Sequence, residues 1–159
     1  MRSRSPGFAA PGSVNSGIPL AFSSPMTAVE LGHQPAHVLV IDDDRLVRDA
    51  LADVLTSAGY RVTLAENGTA GLRHFADGGY HVIVTDVRMP GPDGWEVARR
   101  VREASADVGI VVMSAGLDHR APADGDSHRL ATLPKPFDLQ DLLAIIDRLT
   151  PSAGAPGGA

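Results

Sequence analysis

The 159-residue chain contains no cysteine, which excludes disulfides, thiolate metal sites and a cysteine nucleophile and suits a reducing compartment. It lacks any apolar run approaching the roughly 20 residues that a bilayer-spanning helix needs, so no membrane segment is expected. It carries no excess of positive charge either: 14 Lys and Arg stand against 19 Asp and Glu, and the 14 form no continuous stripe. Binding to a phosphate backbone needs clustered cations, so nucleic-acid binding by this chain is not expected. Arg2 and Arg4 precede some apolar residues, but Pro6, Pro11 and Pro19 interrupt any signal-peptide core. A cytoplasmic location is therefore expected. No internal repeat is visible. A hydrophobic content of 43% suffices for one domain core and would be crowded as two.

Order is expected only in the middle of the chain. Residues 1 to 35 are rich in Gly, Pro, Ser and Ala and show neither a period of 2 nor one of 3.6, so they cannot offset the entropy of ordering. They predict a disordered N-terminal tail. Met26, just upstream of the first strand, is a possible true start; an intact mass that included residues 1 to 25 would reject that hypothesis. Residues 151 to 159 predict a flexible C-terminal tail, leaving one domain over 36 to 150 and no room for an output domain.

Within that domain, strand and helix patterns alternate. Val38 to Ile41 predicts a strand, and Asp44 can cap a helix whose apolar positions Leu46, Val47, Ala50, Leu51, Val54 and Leu55 share a face before Gly59. Tyr60 to Ala65 predicts a more polar strand near an edge, followed by a helix over Thr69 to Ala76 that ends at Gly78 and Gly79. Next come a strand over Tyr80 to Thr85, a loop through Met89 to Pro92, a helix from Gly94 to Ala104 and a strand over Val108 to Met113. Leu130 to Leu133 predicts a weaker fifth strand, and Asp138 can cap a last helix carrying Leu139, Leu142, Leu143, Ile146 and Leu149. Five βα units with short loops predict an α/β fold with parallel strands covered on both faces.

In such a sheet the residues at the carboxyl ends of the strands converge on one crevice. Asp42, Asp43 and Asp44 follow the first strand, Asp86 ends the third, and Lys135 follows the fifth. Gathered carboxylates repel one another, so one would protonate unless a cation were supplied. Mg²⁺ fits an all-oxygen donor set and is commonly held by one or two carboxylates plus phosphate oxygens. Phosphoryl transfer asks mainly for positioning and charge neutralisation, which a metal ion and a mobile ammonium such as Lys135 can provide.

Four blocks carry a specific resemblance: Val38-Leu39-Val40-Ile41 with Asp42-Asp43, Thr85 through Gly94, Met113-Ser114-Ala115, and Leu133-Pro134-Lys135-Pro136-Phe137. Together they resemble the receiver domain of two-component response regulators over about residues 36 to 150. The resemblance implies a flavodoxin-like doubly wound (βα)5 sheet in the order 2-1-3-4-5, with its site at the switch point between strands one and three. It also implies that Asp43 and Asp86 ligate Mg²⁺ directly, Asp42 acts mainly through water, and the backbone carbonyl of Arg88 completes the protein's share. Asp86 would be the phosphoacceptor nucleophile. Lys135 would contact the phosphoryl group, and Ser114 would hydrogen-bond it once it is attached, drawing the next loop inward. The Lys135-Pro136 bond resembles one that is cis in this family. The implied partners are a histidine kinase or histidine phosphotransfer protein as donor and a downstream protein of unknown identity, with the chain a monomer or weak dimer. The domain would assist its own phosphorylation and dephosphorylation without being an enzyme in the ordinary sense.

Departures from the family pattern concentrate between Ser114 and Lys135. Gly116 to Arg129 contains Pro122, Gly125 and no apolar stripe, which predicts a short or frayed fourth helix. Thr132 stands where the family usually carries an aromatic ring, and Arg88 and Gly116 occupy positions that modulate phosphoryl lifetime. Other residues read more simply: Asp44 as a helix cap, Trp95 as packing, and Arg99, Arg100 and Arg102 as a solvated helix face. His119 and His128, with Asp118, Asp124 and Asp126, fit neither a zinc nor an EF-hand spacing and read as a polar loop. The leading expectation is a stand-alone receiver that signals by phosphorylation-dependent partner binding. Alternatives are a phosphate sink or relay, a degenerate receiver binding its partner without phosphorylation, and a small hydrolase, which is disfavoured because no Ser, His and Asp set stands at strand ends.

Overall fold

The computed structural model describes residues 34–116 and 129–151. Outside these residues lie nearly all of both expected tails, most of the expected fourth helix, and the loop residues Asp118, His119, Asp124, Asp126 and His128. The described chain runs β1 (His37–Ile41), α1 (Arg45–Ser57), β2 (Arg61–Ala65), α2 (Gly68–Asp77), β3 (Val82–Asp86), α3 (Gly94–Ala104), β4 (Gly109–Ala115), β5 (Leu130–Lys135) and α4 (Leu139–Leu149). The strands form one sheet in the order β2-β1-β3-β4-β5, and every neighbouring pair is parallel. This is the flavodoxin-like arrangement expected, with the polar β2 at an edge. No described helix is long and apolar enough to cross a membrane.

The central strands read as unbroken apolar runs because both of their faces are buried. Alternate residues go to opposite faces: Val38, Val40, Val82, Val84, Val111 and Met113 pack with Leu51, Leu55, Leu142 and Ile146 from α1 and α4. Leu39, Ile41, Ile83, Ile110 and Val112 pack with Val97 and Val101 from α3, and Leu72 and Phe75 from α2 border that same layer. The helices start where side chains cap them. Asp44 accepts from the backbone N–H groups of Leu46 and Val47, Asn67 from Ala70, Asp93 from Glu96 and Asp138 from Gln140.

Three sequence expectations need correction. Leu46 is 79% exposed and Ala50 is exposed as well, so the buried stripe of α1 is narrower than expected. Arg102 is not part of a solvated face: its guanidinium donates to the carbonyls of Ala106 at 2.8 Å and Arg129 at 3.0 Å, tying the end of α3 to the start of β5. β4 and β5 each run two residues beyond the expected ends, to Ala115 and Lys135. Pairing of Ser114 with Pro134 and of Ala115 with Lys135 carries the ladder into the site.

Candidate functional site

β1 and β3 are neighbours, but the chain leaves β1 towards β2 and leaves β3 towards β4, so the loops diverge and open a crevice at their carboxyl ends. Asp42 and Asp43 leave β1 there, and Asp86 is the last residue of β3. Carboxylate oxygens of these three residues lie within 4.8 Å of one another. From β5, Lys135 Nζ donates to Asp86 Oδ1 at 2.9 Å and stands 4.0 Å from Asp42 Oδ2. The Lys135-Pro136 peptide is cis.

Asp42 is the constrained member of the cluster, at 1% exposure. Its Oδ1 accepts from the Asp44 N–H at 2.9 Å, whereas its buried Oδ2 accepts no hydrogen bond among the described residues. Burial pushes the Asp42 carboxyl above the usual carboxylate range, and the neighbouring charges of Asp86 and Asp43 add to that; the Asp44 N–H and Lys135 oppose it. An all-carboxylate donor set and an orphaned buried oxygen suit a hard divalent cation, which supplies the charge that Lys135 alone leaves short.

Two further expected residues border the crevice. Ser114 is buried near the end of β4, where its hydroxyl donates to the Gly116 carbonyl at 3.3 Å, and Gly116 turns the chain with φ +94°. Arg88 follows Asp86 by two residues with its side chain exposed. Thr132 is exposed on β5 between buried Ala131 and Leu133. Asp44 caps α1 as expected, and Trp95 is half-buried against the α2/α3 layer.

The sequence reading missed the close backbone seats of this site. A Cβ on Gly94 would lie 2.3 Å from the Asp86 carbonyl oxygen, and one on Gly68 would lie 2.3 Å from that of Pro92. The loop carrying Arg88 is thus held between the first turns of α2 and α3. Arg48 was also missed; its Nη1 donates to the Asp42 carbonyl at 2.6 Å. Spacing alone carries a signal for it, because helical side chains lean back towards the N-terminus.

Fold and crevice together define a flavodoxin-like α/β domain, a five-stranded parallel sheet with an acidic site at its switch point. A family model described as "Response regulator receiver domain" matches residues 38–147. The response regulator MprA of Mycolicibacterium vanbaalenii is 39% identical over 133 residues, covering 76% of this chain and 54% of that protein. The DNA-binding transcriptional regulator NtrC of Azospirillum brasilense is 36% identical over 129 residues, covering 78% of this chain and 27% of that protein. Among solved structures, chemotaxis protein CheY4 of Vibrio cholerae superposes with a TM-score of 0.66 at 28% identity, over 73% of this chain and 99% of that one. Response regulator TrrA of Thermotoga maritima, in complex with Mg²⁺ and BeF, gives 0.64 at 30% identity, over 72% and 98%. The chain belongs to the response regulator receiver family of two-component systems. It spans about half the length of the MprA relative.

Proposed function

We propose that this receiver accepts a phosphoryl group on Asp86 from a histidine kinase or histidine phosphotransfer protein and signals by changing which downstream protein it binds. The observation that carries the reading is the buried Asp42 Oδ2, which accepts no hydrogen bond among the described residues, beside the carboxylates of Asp43 and Asp86, with Lys135 already on Asp86. Asp43 and Asp86 would hold Mg²⁺ directly, with the Arg88 carbonyl, and Asp42 would act mainly through water. When bound, the ion neutralises charge that gathers on the transferring phosphoryl oxygens.

A carboxylate oxygen of Asp86 forms the new O–P bond while the P–N bond of the donor phosphohistidine breaks. The electron pair stays on the imidazole nitrogen, which takes a proton from water. Lys135 moves its ammonium from the carboxylate to a phosphoryl oxygen, and the Ser114 hydroxyl exchanges the Gly116 carbonyl for another. That exchange is a local change of contacts at the end of β4 that biases the surface offered to a partner. Action as a stand-alone signalling unit is part of the proposal, with the domain over 36 to 150 as the working part, in the cytoplasm and as a monomer or weak dimer.

Incubating the full chain with acetyl phosphate and Mg²⁺ tests it. One acid-stable, base-labile phosphate is expected, absent from Asp86→Asn and absent in chelator. No phosphate on the wild type would leave a phosphorylation-independent binding module. Turnover persisting in Asp86→Asn would point to a hydrolase. Partner binding that does not change with an acyl-phosphate mimic would point to a sink or relay.

A further inference from the structure

Arg48 lies in the opening turns of α1, half-buried. The start of a helix presents positive potential, so it is a poor place for a cation unless the cation has another task. Five carboxylates, Asp42, Asp43, Asp44, Asp49 and Asp53, stand within six residues of it in sequence, yet Nη1 of Arg48 donates to the main-chain carbonyl of Asp42. The consequence for Asp42 is strict. Its N–H donates to the Ala65 carbonyl at 3.2 Å, its Oδ1 accepts from the Asp44 N–H, and its carbonyl accepts from Arg48. Of its polar atoms, Oδ2 remains, buried and gathered with the carboxylates of Asp43 and Asp86.

We propose that Arg48 is a positioning residue for the cation site: by pinning the Asp42 carbonyl it fixes the direction of the β1–α1 turn and hence where Asp42 presents Oδ2. The inference rests on the reading of Asp42, Asp43 and Asp86 as a Mg²⁺ site. Donation to a carbonyl spends none of the carboxylate oxygens, so the turn is held without competing for the ion. Groups that act behind a metal ligand in this way set its orientation.

A bystander charge and a positioning role predict opposite signs. Removing a cation near a bound dication relieves repulsion and tightens binding, whereas releasing the turn loosens it. Arg48 also lines an open cavity of about 320 Å³ with Arg45, Glu66 and His74, so a shorter side chain there leaves no sealed void.

Titration calorimetry of the full chain with Mg²⁺ alone separates these cases. Arg48→Met is expected to weaken the Mg²⁺ affinity by about tenfold, whereas Arg45→Met, which removes a charge from the same helix, is expected to leave it unchanged or tighter. Unchanged or tighter binding by Arg48→Met overturns the inference while leaving the cation site in place. A wild type that takes up no Mg²⁺ overturns the site itself and the inference with it. If Arg48→Met does not fold, Arg48→Lys carries the test: it keeps the charge, loses the planar fork, and is expected to bind about threefold more weakly. Wild-type affinity in Arg48→Lys would then overturn the inference.

Discussion

Asp42 is the residue at which burial and charge oppose each other most directly. Its carboxyl sits above the ordinary value of 3.8, first through burial and then through the charges of Asp86 and Asp43. Between 3.8 and the raised value the folded chain holds more protons than the unfolded one, so this group's contribution to stability falls as pH rises through that window. At neutral pH without a cation, its ionised form is a cost to the fold. Asp42→Asn keeps an acceptor for the Asp44 N–H and removes the charge, so in chelator the variant is expected to melt above wild type. Mg²⁺ at a hundredfold excess over its Kd is expected to stabilise the wild type by about 2.7 kcal/mol, roughly 10 °C in Tm for a domain of this size. The variant should gain much less. Thermal melts of both proteins with and without the ion decide it; a variant that melts lower in chelator would show that the carboxylate is stabilising by itself. Asp42, Asp43, Asp86 and Lys135 were legible in the sequence because each ends or follows a strand, and parallel strands bring such ends together. For Arg48 helical spacing is the one signal, because its acceptor is a main-chain carbonyl, which no residue type announces.

The helices show which patterns survive folding and which do not. In α1 the buried stripe is narrower than the run of apolar residues: at 100° per residue, Leu46 lies five residues before Leu51 and so points about 140° away from it. Leu51 and Leu55 reach the core, and Leu46 ends up in solvent. The starts of α1 and α4 were legible because Asp44 and Asp138 cap them where the sequence places a capping residue. The ends of β4 and β5 were not, since pairing extends them past the apolar run that marks them. The start of α3 also carries a strict steric condition. A Cβ at Gly94 would meet the Asp86 carbonyl at 2.3 Å and the Val87 Cα at 2.9 Å, both main-chain atoms unable to turn away. Gly94→Ala is therefore expected to cost about 1–3 kcal/mol in urea unfolding, and to slow acetyl-phosphate labelling of Asp86 by shifting the loop that carries Arg88. A variant with wild-type stability and labelling rate would mean that the helix start can move aside.

At the scale of the whole molecule the sheet has charged groups at both ends, and they respond to pH in opposite directions. At the amino ends of the strands, His37 is 8% exposed, stacks 4.3 Å from Tyr80 and receives the Arg61 guanidinium on Nδ1 at 2.9 Å. Because a guanidinium only donates, Nδ1 carries the lone pair. Nε2 therefore bears the proton and donates to Thr63 Oγ1 at 2.7 Å. Burial, Arg61 and His81 push the His37 pKa below 6.5, and a backbone interaction with Gly79 opposes them. Below 6.5 the unfolded chain then takes up protons that the folded chain resists, so this contribution is whole above 6.5 and is lost as pH falls towards the folded value. Asp42 works in the other sense, which would mask the effect in a single titration. Its contribution is the same in a His37→Gln variant, where the amide can still reach Thr63, and it cancels in the difference. Urea midpoints of both proteins between about pH 5 and 8 are expected to show wild type losing ground to the variant on acidification. A difference that stays flat would mean that His37 accepts its second proton in the folded state as readily as in the unfolded one, and that the Arg61 contact gives way at no cost.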